Sequence, residues 1–167
     1  RAHHLRTRRQ RQMCIRDSPN STSVGEISSG NPYEDMAAYT SGTDKLHMAY
    51  TFELLTDRCD ADWIREVIRR TEADVASGWP CWAISNHDVT RVASRWGHEE
   101  QAGRFSTAAL AMMLCLRGSA CVYQGDELGL VEANVPRERL QDPYGQAFWP
   151  EYKGCLLYTS PSPRDKT

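Results

Sequence analysis

The stretch Trp79-Pro-Cys-Trp-Ala-Ile-Ser-Asn-His-Asp-Val-Thr-Arg-Val-Ala-Ser-Arg95 changes character at its middle. A short apolar run, Cys81 to Ile84, breaks into Ser85, Asn86, His87 and Asp88. Such a run fits a strand buried on both faces, as in a parallel sheet. The polar cluster then stands at the strand's carboxyl end, where parallel α/β folds carry their chemistry. Asn86, His87 and Asp88 offer an amide, an imidazole and a carboxylate, and Arg91 adds a fixed positive charge. Taken alone, an Asn-His-Asp run is more often turn chemistry and a helix cap than a site.

Working outward, the same alternation recurs. Ser23-Val-Gly-Glu-Ile27 reads as a short strand ending in a carboxylate, and Tyr33 to Tyr39 has helical character. A second strand is expected near Met48 to Phe52. A helix follows from about Ala61 to Ala76, capped by Asp60 or Asp62, with Trp63, Ile64, Val67, Ile68 and Val75 at helical spacing. The spacing predicts another helix over Glu99 to Leu116, with Phe105, Ala108, Ala109, Met112, Met113 and Leu116 as its core face. Arg117-Gly118 closes it with a cation in the last turn and then a glycine. Ser119 to Tyr123 is a fourth strand, followed by Gln124-Gly-Asp-Glu-Leu-Gly129. Val131 to Gly154 has no clean period and reads as a long loop.

Four strands alternating with helices predict a parallel sheet with helices outside. A doubly wound sheet satisfies that pattern too. Polar residues follow at least three strands: Glu26, Asn86-His87-Asp88 and Gln124 to Glu127. In a barrel, successive strand ends surround one pocket. No GxGxxG or P-loop is present. The fold class expected is therefore α/β, the C-terminal half (about strands 5–8) of a (β/α)8 barrel.

The two ends read differently. Met13 to Asp17 and Cys155 to Ser160 can be encoded by one inverted-repeat DNA read from both strands, and they resemble translated sequencing adapters. Residues 1–18 and 155–167 are therefore expected to be non-native extensions, leaving 19–154 as the partial-barrel portion. The six arginines near the start would otherwise suggest a basic nucleic-acid arm. The whole chain carries 20 Lys and Arg against 22 Asp and Glu, but the two ends hold eight of the bases and two of the acids, so 19–154 stands at −8. That balance argues against nucleic acid or an anionic membrane as partner. Cys59, Cys81, Cys115 and Cys121 lack CxxC spacing and read as buried thiols, with no disulfide frame and no zinc. This suits a cytoplasmic origin. No apolar run approaches a membrane span of about 18–20 residues.

Trp82-Ala-Ile-Ser-Asn-His-Asp-Val-Thr-Arg91 resembles the strand-7 motif of the α-amylase superfamily, glycoside hydrolase family 13, most closely its α-glucosidases and oligo-1,6-glucosidases. Ser23-Val-Gly-Glu26 resembles the strand-5 motif that carries the general acid/base. Tyr123-Gln-Gly-Asp-Glu-Leu-Gly129 resembles the strand-8 segment, in which Asp126 stands where a glutamate is usual. Gln141-Asp-Pro and Phe148-Trp-Pro-Glu resemble the loop after strand 8. The resemblance implies Glu26 as general acid/base and Asp88 as transition-state stabiliser. It implies that His87 and Asn86 bind substrate, with Arg91 a candidate for the same role and a salt bridge equally open. It implies an α-linked gluco-oligosaccharide as partner, no cofactor and no metal.

The implied reaction is retaining hydrolysis through a pair of carboxylates. Glu26 lies between Val24-Gly25 and Ile27, which suits a desolvated acid, and Asp88 beside His87 and Asn86 suits an ionised one. The family's nucleophile, an aspartate ending strand 4, is expected upstream of Pro19, so this stretch alone is expected to be inactive. Three alternatives stand beside this reading. One is a transglycosylase or isomerase of the trehalose synthase or sucrose isomerase type. The second is a noncatalytic carbohydrate-binding or scaffold relative. The third is a metal hydrolase using His87 and Asp88, which His47 and His98 do not support by spacing.

Overall fold

A computed structural model describes residues 20–27, 29–97, 101–133, 135–139 and 147. The adapter-like ends and the Gln141–Gly145 and Phe148–Pro150 segments lie outside them. The described residues fall into two compact units. One is drawn from the described residues of 20–54, 59–83 and 113–121, the other from those of 55–58, 84–112 and 122–147.

The first unit is built on a four-stranded parallel sheet: β1 (Val24–Gly25), β2 (Met48–Thr51), β3 (Pro80–Trp82) and β4 (Ser119–Ala120). The spatial order is β1-β2-β3-β4, with Val24 opposite Met48, Tyr50 opposite Cys81 and Trp82 opposite Ala120. A doubly wound sheet reverses its order at a switch point. Unbroken sequential order is what a segment of a barrel gives. Parallel neighbours require crossovers. The first carries α1 (Pro32–Thr40) and the second α2 (Ala61–Asp74). All three residues of β3 are buried, as its apolar run demands.

Helix α1 packs on both β2 and α2. Tyr33 and Met36 of α1, Ala49 of β2 and Val75 beyond α2 form a buried cluster, with Ile27 against it. Asp60 caps α2: its Oδ1 accepts the Trp63 N–H at 2.8 Å. Such a cap contributes roughly 1 kcal/mol.

Arg117 differs from expectation. Its guanidinium serves α2, not the helix it ends: Nη1 donates to Gly78 O (2.9 Å), Nη2 to Val75 O (3.1 Å) and Nε to Glu72 Oε2 (2.9 Å). It thus satisfies carbonyls beyond the end of α2, where a positive charge is favoured. Gly118 then turns into β4 with φ +130°, and a Cβ there would stand 2.4 Å from Pro80 O.

In the second unit, the short helix α3 (Val92–Arg95) has no counterpart in the sequence reading. Helix α4 (Ala102–Leu114) is shorter than the Glu99–Leu116 expectation. Its buried stripe is Ala102, Ser106, Ala109 and Met113; Ala108 is exposed, and Phe105 and Met112 are half-buried. Hydrophobic spacing therefore locates the helix but misplaces its inward face, because Ser106 is buried through a hydrogen bond to Asp126 O (3.0 Å). Two short 3-10 turns, Asp126–Leu128 and Arg137–Arg139, follow β4 in the chain. Among the four described thiols, only Cys81 is buried; Cys59 and Cys121 are half-buried and Cys115 is exposed, correcting the all-buried reading. Among the described residues, no helix is long and apolar enough to cross a membrane.

This architecture can be probed in two ways. Gly118→Ala in the full-length protein should cost about 1–3 kcal/mol, read as a lowered denaturation midpoint. An unchanged midpoint would contradict the close approach to Pro80. The isolated 167-residue chain should aggregate or melt without cooperativity, because among the described residues β1 and β4 end the sheet with unpaired edges. Calorimetry at low concentration checks this, and a sharp two-state transition would contradict it.

Candidate active site

Glu26 directly follows β1 in the first unit and is exposed. The apolar neighbours expected to desolvate it do not do so. Val24, two residues earlier on the same side of the strand, is itself 45% exposed. The strand is positioned by a reciprocal contact with His47. Ser23 donates its N–H (3.1 Å) and hydroxyl (2.8 Å) to His47 Nδ1, and His47 N–H donates back to Ser23 Oγ (3.1 Å). Nδ1 is thereby the accepting nitrogen.

Beside this strand end lies a cleft of about 70 Å³, lined in part by Ile27, Tyr33, Met36, Tyr50, Phe52 and Glu53. The Tyr50 and Phe52 rings are stacked at 6.1 Å. Burial and the Glu53 charge push the Tyr33 hydroxyl up to about 12, opposed by Arg70, whose guanidinium lies 4.2 Å from the ring centroid. The Tyr50 hydroxyl is also raised to about 12, chiefly by its hydrogen bond with Cys121 Sγ at 3.4 Å. Burial raises the Cys81 thiol to about 11. Sequence reasoning singles out none of these side chains as functional. Tyr50 and Phe52 carry the one usable signal, an aromatic pair at strand period.

In the second unit, Asn86, His87, Asp88 and Arg91 fall within one turn. Asn86 Oδ1 accepts the N–H groups of Asp88 (2.9 Å) and Val89 (3.1 Å). Asn86 thus performs the turn role open to it from sequence. The turn projects the next two side chains outward. His87 is 53% and Asp88 67% exposed, with His87 Nε2 3.3 Å from Asp88 Oδ1. Asp88 is thus a solvated carboxylate next to an imidazole.

The turn is closed from behind. Arg95 donates Nε to Thr90 O (3.0 Å), and its two Nη groups donate to Ile84 O and Thr56 O. Ser85 Oγ accepts the Val92 N–H at 3.0 Å. Backbone carbonyls that no helix or strand satisfies are thereby paired.

Arg91, for which substrate binding and a salt bridge are both open from sequence, is buried. Its side chain is only 6% exposed and lies 3.7 Å from Asp126 Oδ1, whose own side chain is 1% exposed. Nη1 donates to Gln124 O at 2.7 Å, and the guanidinium lies 4.8 Å from the Tyr123 ring centroid. The salt-bridge alternative is the one the geometry supports. The Arg91 N–H also donates to Glu132 Oε2 at 2.9 Å. Neither carboxylate oxygen of Asp126 meets hydrogen-bond geometry with a neighbour. Burial raises its pKa above the usual carboxylate value; Ser85, Arg91 and Arg95 oppose the rise and Glu127 adds to it. Among the described residues, no three metal-binding side chains converge.

The model of the family described as "Alpha amylase, catalytic domain" matches residues 1–148. A probable alpha-glucosidase of Rhizobium meliloti (strain 1021) is 43% identical over 143 residues, covering 81% of this chain and 25% of that protein. An oligo-1,6-glucosidase of Heyndrickxia coagulans is 33% identical over 81 residues, covering 47% of this chain and 15% of that protein. A solved alpha-glucosyl transfer enzyme, XgtA, superposes with a TM-score of 0.81 at 46% identity, covering 94% of this chain and 29% of that one. The isomaltulose synthase of Erwinia rhapontici NX5 gives a TM-score of 0.67 at 21% identity over 87% of this chain and 29% of its own, a likeness of fold alone. The chain spans about a quarter of the length of the first of these relatives. Its sequential parallel sheet and these matches establish that it belongs to the α-amylase catalytic-domain family, glycoside hydrolase family 13, as part of the (β/α)8 barrel.

Proposed function

We propose that the full-length protein is a retaining α-glucosidase acting on α-linked gluco-oligosaccharides. The observation that carries this reading is the Asn86-His87-Asp88 turn, with two exposed side chains on a base fixed by Arg95 and Asn86. It is supported by the likeness to the Rhizobium meliloti and Heyndrickxia coagulans glucosidases.

In this reading Glu26 protonates the leaving glycosidic oxygen, then deprotonates the incoming water. Asp88 holds the hydroxyls of the distorted ring, and His87 and Asn86 belong to the same sugar subsite. The nucleophile is supplied by the part of the protein outside this chain. No cofactor or metal enters the reaction. The four thiols among the described residues are free, which suits a cytoplasmic location. A second reading, transfer of glucose to a sugar acceptor in place of water, is favoured by the likeness to the alpha-glucosyl transfer enzyme.

The test uses the full-length protein with maltose, isomaltose and an aryl α-glucoside. Glu26→Gln should lower kcat on the disaccharides by about 10²–10⁴-fold, the usual worth of a general acid/base. The loss should be smaller on an aryl glucoside with a good leaving group, and added azide should restore turnover by forming an α-glucosyl azide. Asp88→Asn should lower kcat/KM on every substrate. Released glucose should first appear as the α anomer by NMR. Wild-type kcat in Glu26→Gln, or β-glucose as first product, would overturn the reading. Disaccharide or longer products outpacing glucose would favour transfer.

A further inference from the structure

Asp126 is the buried acid that the proposed chemistry does not use. It is 2% exposed, neither oxygen meets full hydrogen-bond geometry, and the Ser85 hydroxyl is near enough to favour its charged form. An acid so placed is destabilising unless its charge is employed. The group facing it is Arg91, which follows Asp88 by three residues along the chain.

Three contacts tie Arg91 to the segment after β4: the guanidinium to Gln124 O, the guanidinium over Tyr123, and the backbone N–H to Glu132. Glu132 N–H in turn donates to Ser94 Oγ at 2.7 Å, so the tie runs both ways. Gly125 fits the same purpose. Its φ is +92°, and a Cβ there would come within 2.6 Å of Leu130 Cδ1 and 3.2 Å of Arg91 Nη1. Only a glycine lets the loop close down on the guanidinium. The ion pair itself is stretched, at 3.7 Å. A charge-assisted hydrogen bond would stand near about 2.8 Å. One further methylene at position 126 is of the length needed to close that gap.

We propose that Arg91 and Asp126 form a latch between the Asp88 turn and the loop after β4, and that both are positioning residues for Asp88. Neither touches substrate. Asp126 holds the Arg91 guanidinium against Gln124 O, and Arg91 thereby fixes the far end of the turn. The aspartate at 126 leaves the latch one methylene short, so it holds the turn less tightly than a glutamate would. This inference rests on the glucosidase reading for its kinetic consequence, but not for its structural one.

The experiment compares wild type, Asp126→Asn, Asp126→Glu, Arg91→Met and Arg91→Lys in the full-length protein. Two readouts are taken: kcat and KM separately on isomaltose, and hydrogen exchange at the Asp88, Val89 and Val92 amides. Asp126→Asn and Arg91→Met should lower kcat by about 10–100-fold with KM within about twofold, as expected of a catalytic group displaced by a fraction of an ångström to about 1 Å. The three turn amides should exchange about tenfold faster, while the Cys121 amide, bound to Trp82 O at the sheet, should not change. Asp126→Glu should match or exceed wild-type kcat and slow exchange at the turn. Arg91→Lys should recover part of the loss.

Folded Asp126→Asn and Arg91→Met proteins with unchanged kcat would overturn the latch. So would turn and sheet amides loosening together, which marks general destabilisation. If wild type proves inactive on every glucoside, the glucosidase reading fails and hydrogen exchange alone decides the latch. Unchanged exchange at Asp88 and Val89 in both variants would then refute it.

Discussion

The Asp88 turn depends on two guanidinium groups, Arg91 buried and Arg95 half-buried, satisfying carbonyls that regular structure leaves unpaired. Between Ile84 and Val92 the chain is neither strand nor helix, yet Ser85 and Arg91 are buried. Arg95 reaches the carbonyls of Ile84 and Thr90 at the two ends of this segment and that of Thr56. Trp96 Nε1 donates to the same Thr56 oxygen at 2.7 Å. A planar fork of five donors suits this task as an ammonium does not. With the base of the turn paired, His87 and Asp88 can stand in solvent without loosening it.

Much of the fold is legible in the sequence because a barrel repeats one local rule. Each short apolar run gives a strand, α1 falls where helical character is read, and α2 where capping and spacing place it. What escapes are features set by tertiary contact. The inward face of α4 includes Ser106, a residue that hydrophobic counting places outside, because a carbonyl waits for its hydroxyl. Sequence position alone assigns Arg117 to its own helix, whereas it serves the end of α2. Helix α3 has four residues, too few for any period to register.

The candidate site is legible unevenly. Asn86, His87 and Asp88 share one turn, as their adjacency requires. Glu26 ends its strand as expected but is exposed, since sequence neighbours in a strand face opposite sides and cannot desolvate one another. Arg91 and Asp126 are 35 residues apart and meet only through the fold. No local pattern could have joined them. Tyr33 and Glu53, which share a cleft with Ile27, are hidden for the same reason.

The most direct test is a crystal structure of the full-length protein with an unhydrolysable α-linked oligosaccharide bound. The account predicts the Glu26 carboxyl within hydrogen-bond distance of the glycosidic oxygen, and Asp88 on the hydroxyls of the sugar at the cleaved bond. Arg91 should stay buried and clear of the ligand. A sugar bound with Asp88 pointing away from it, or with Arg91 in direct contact, would contradict the account.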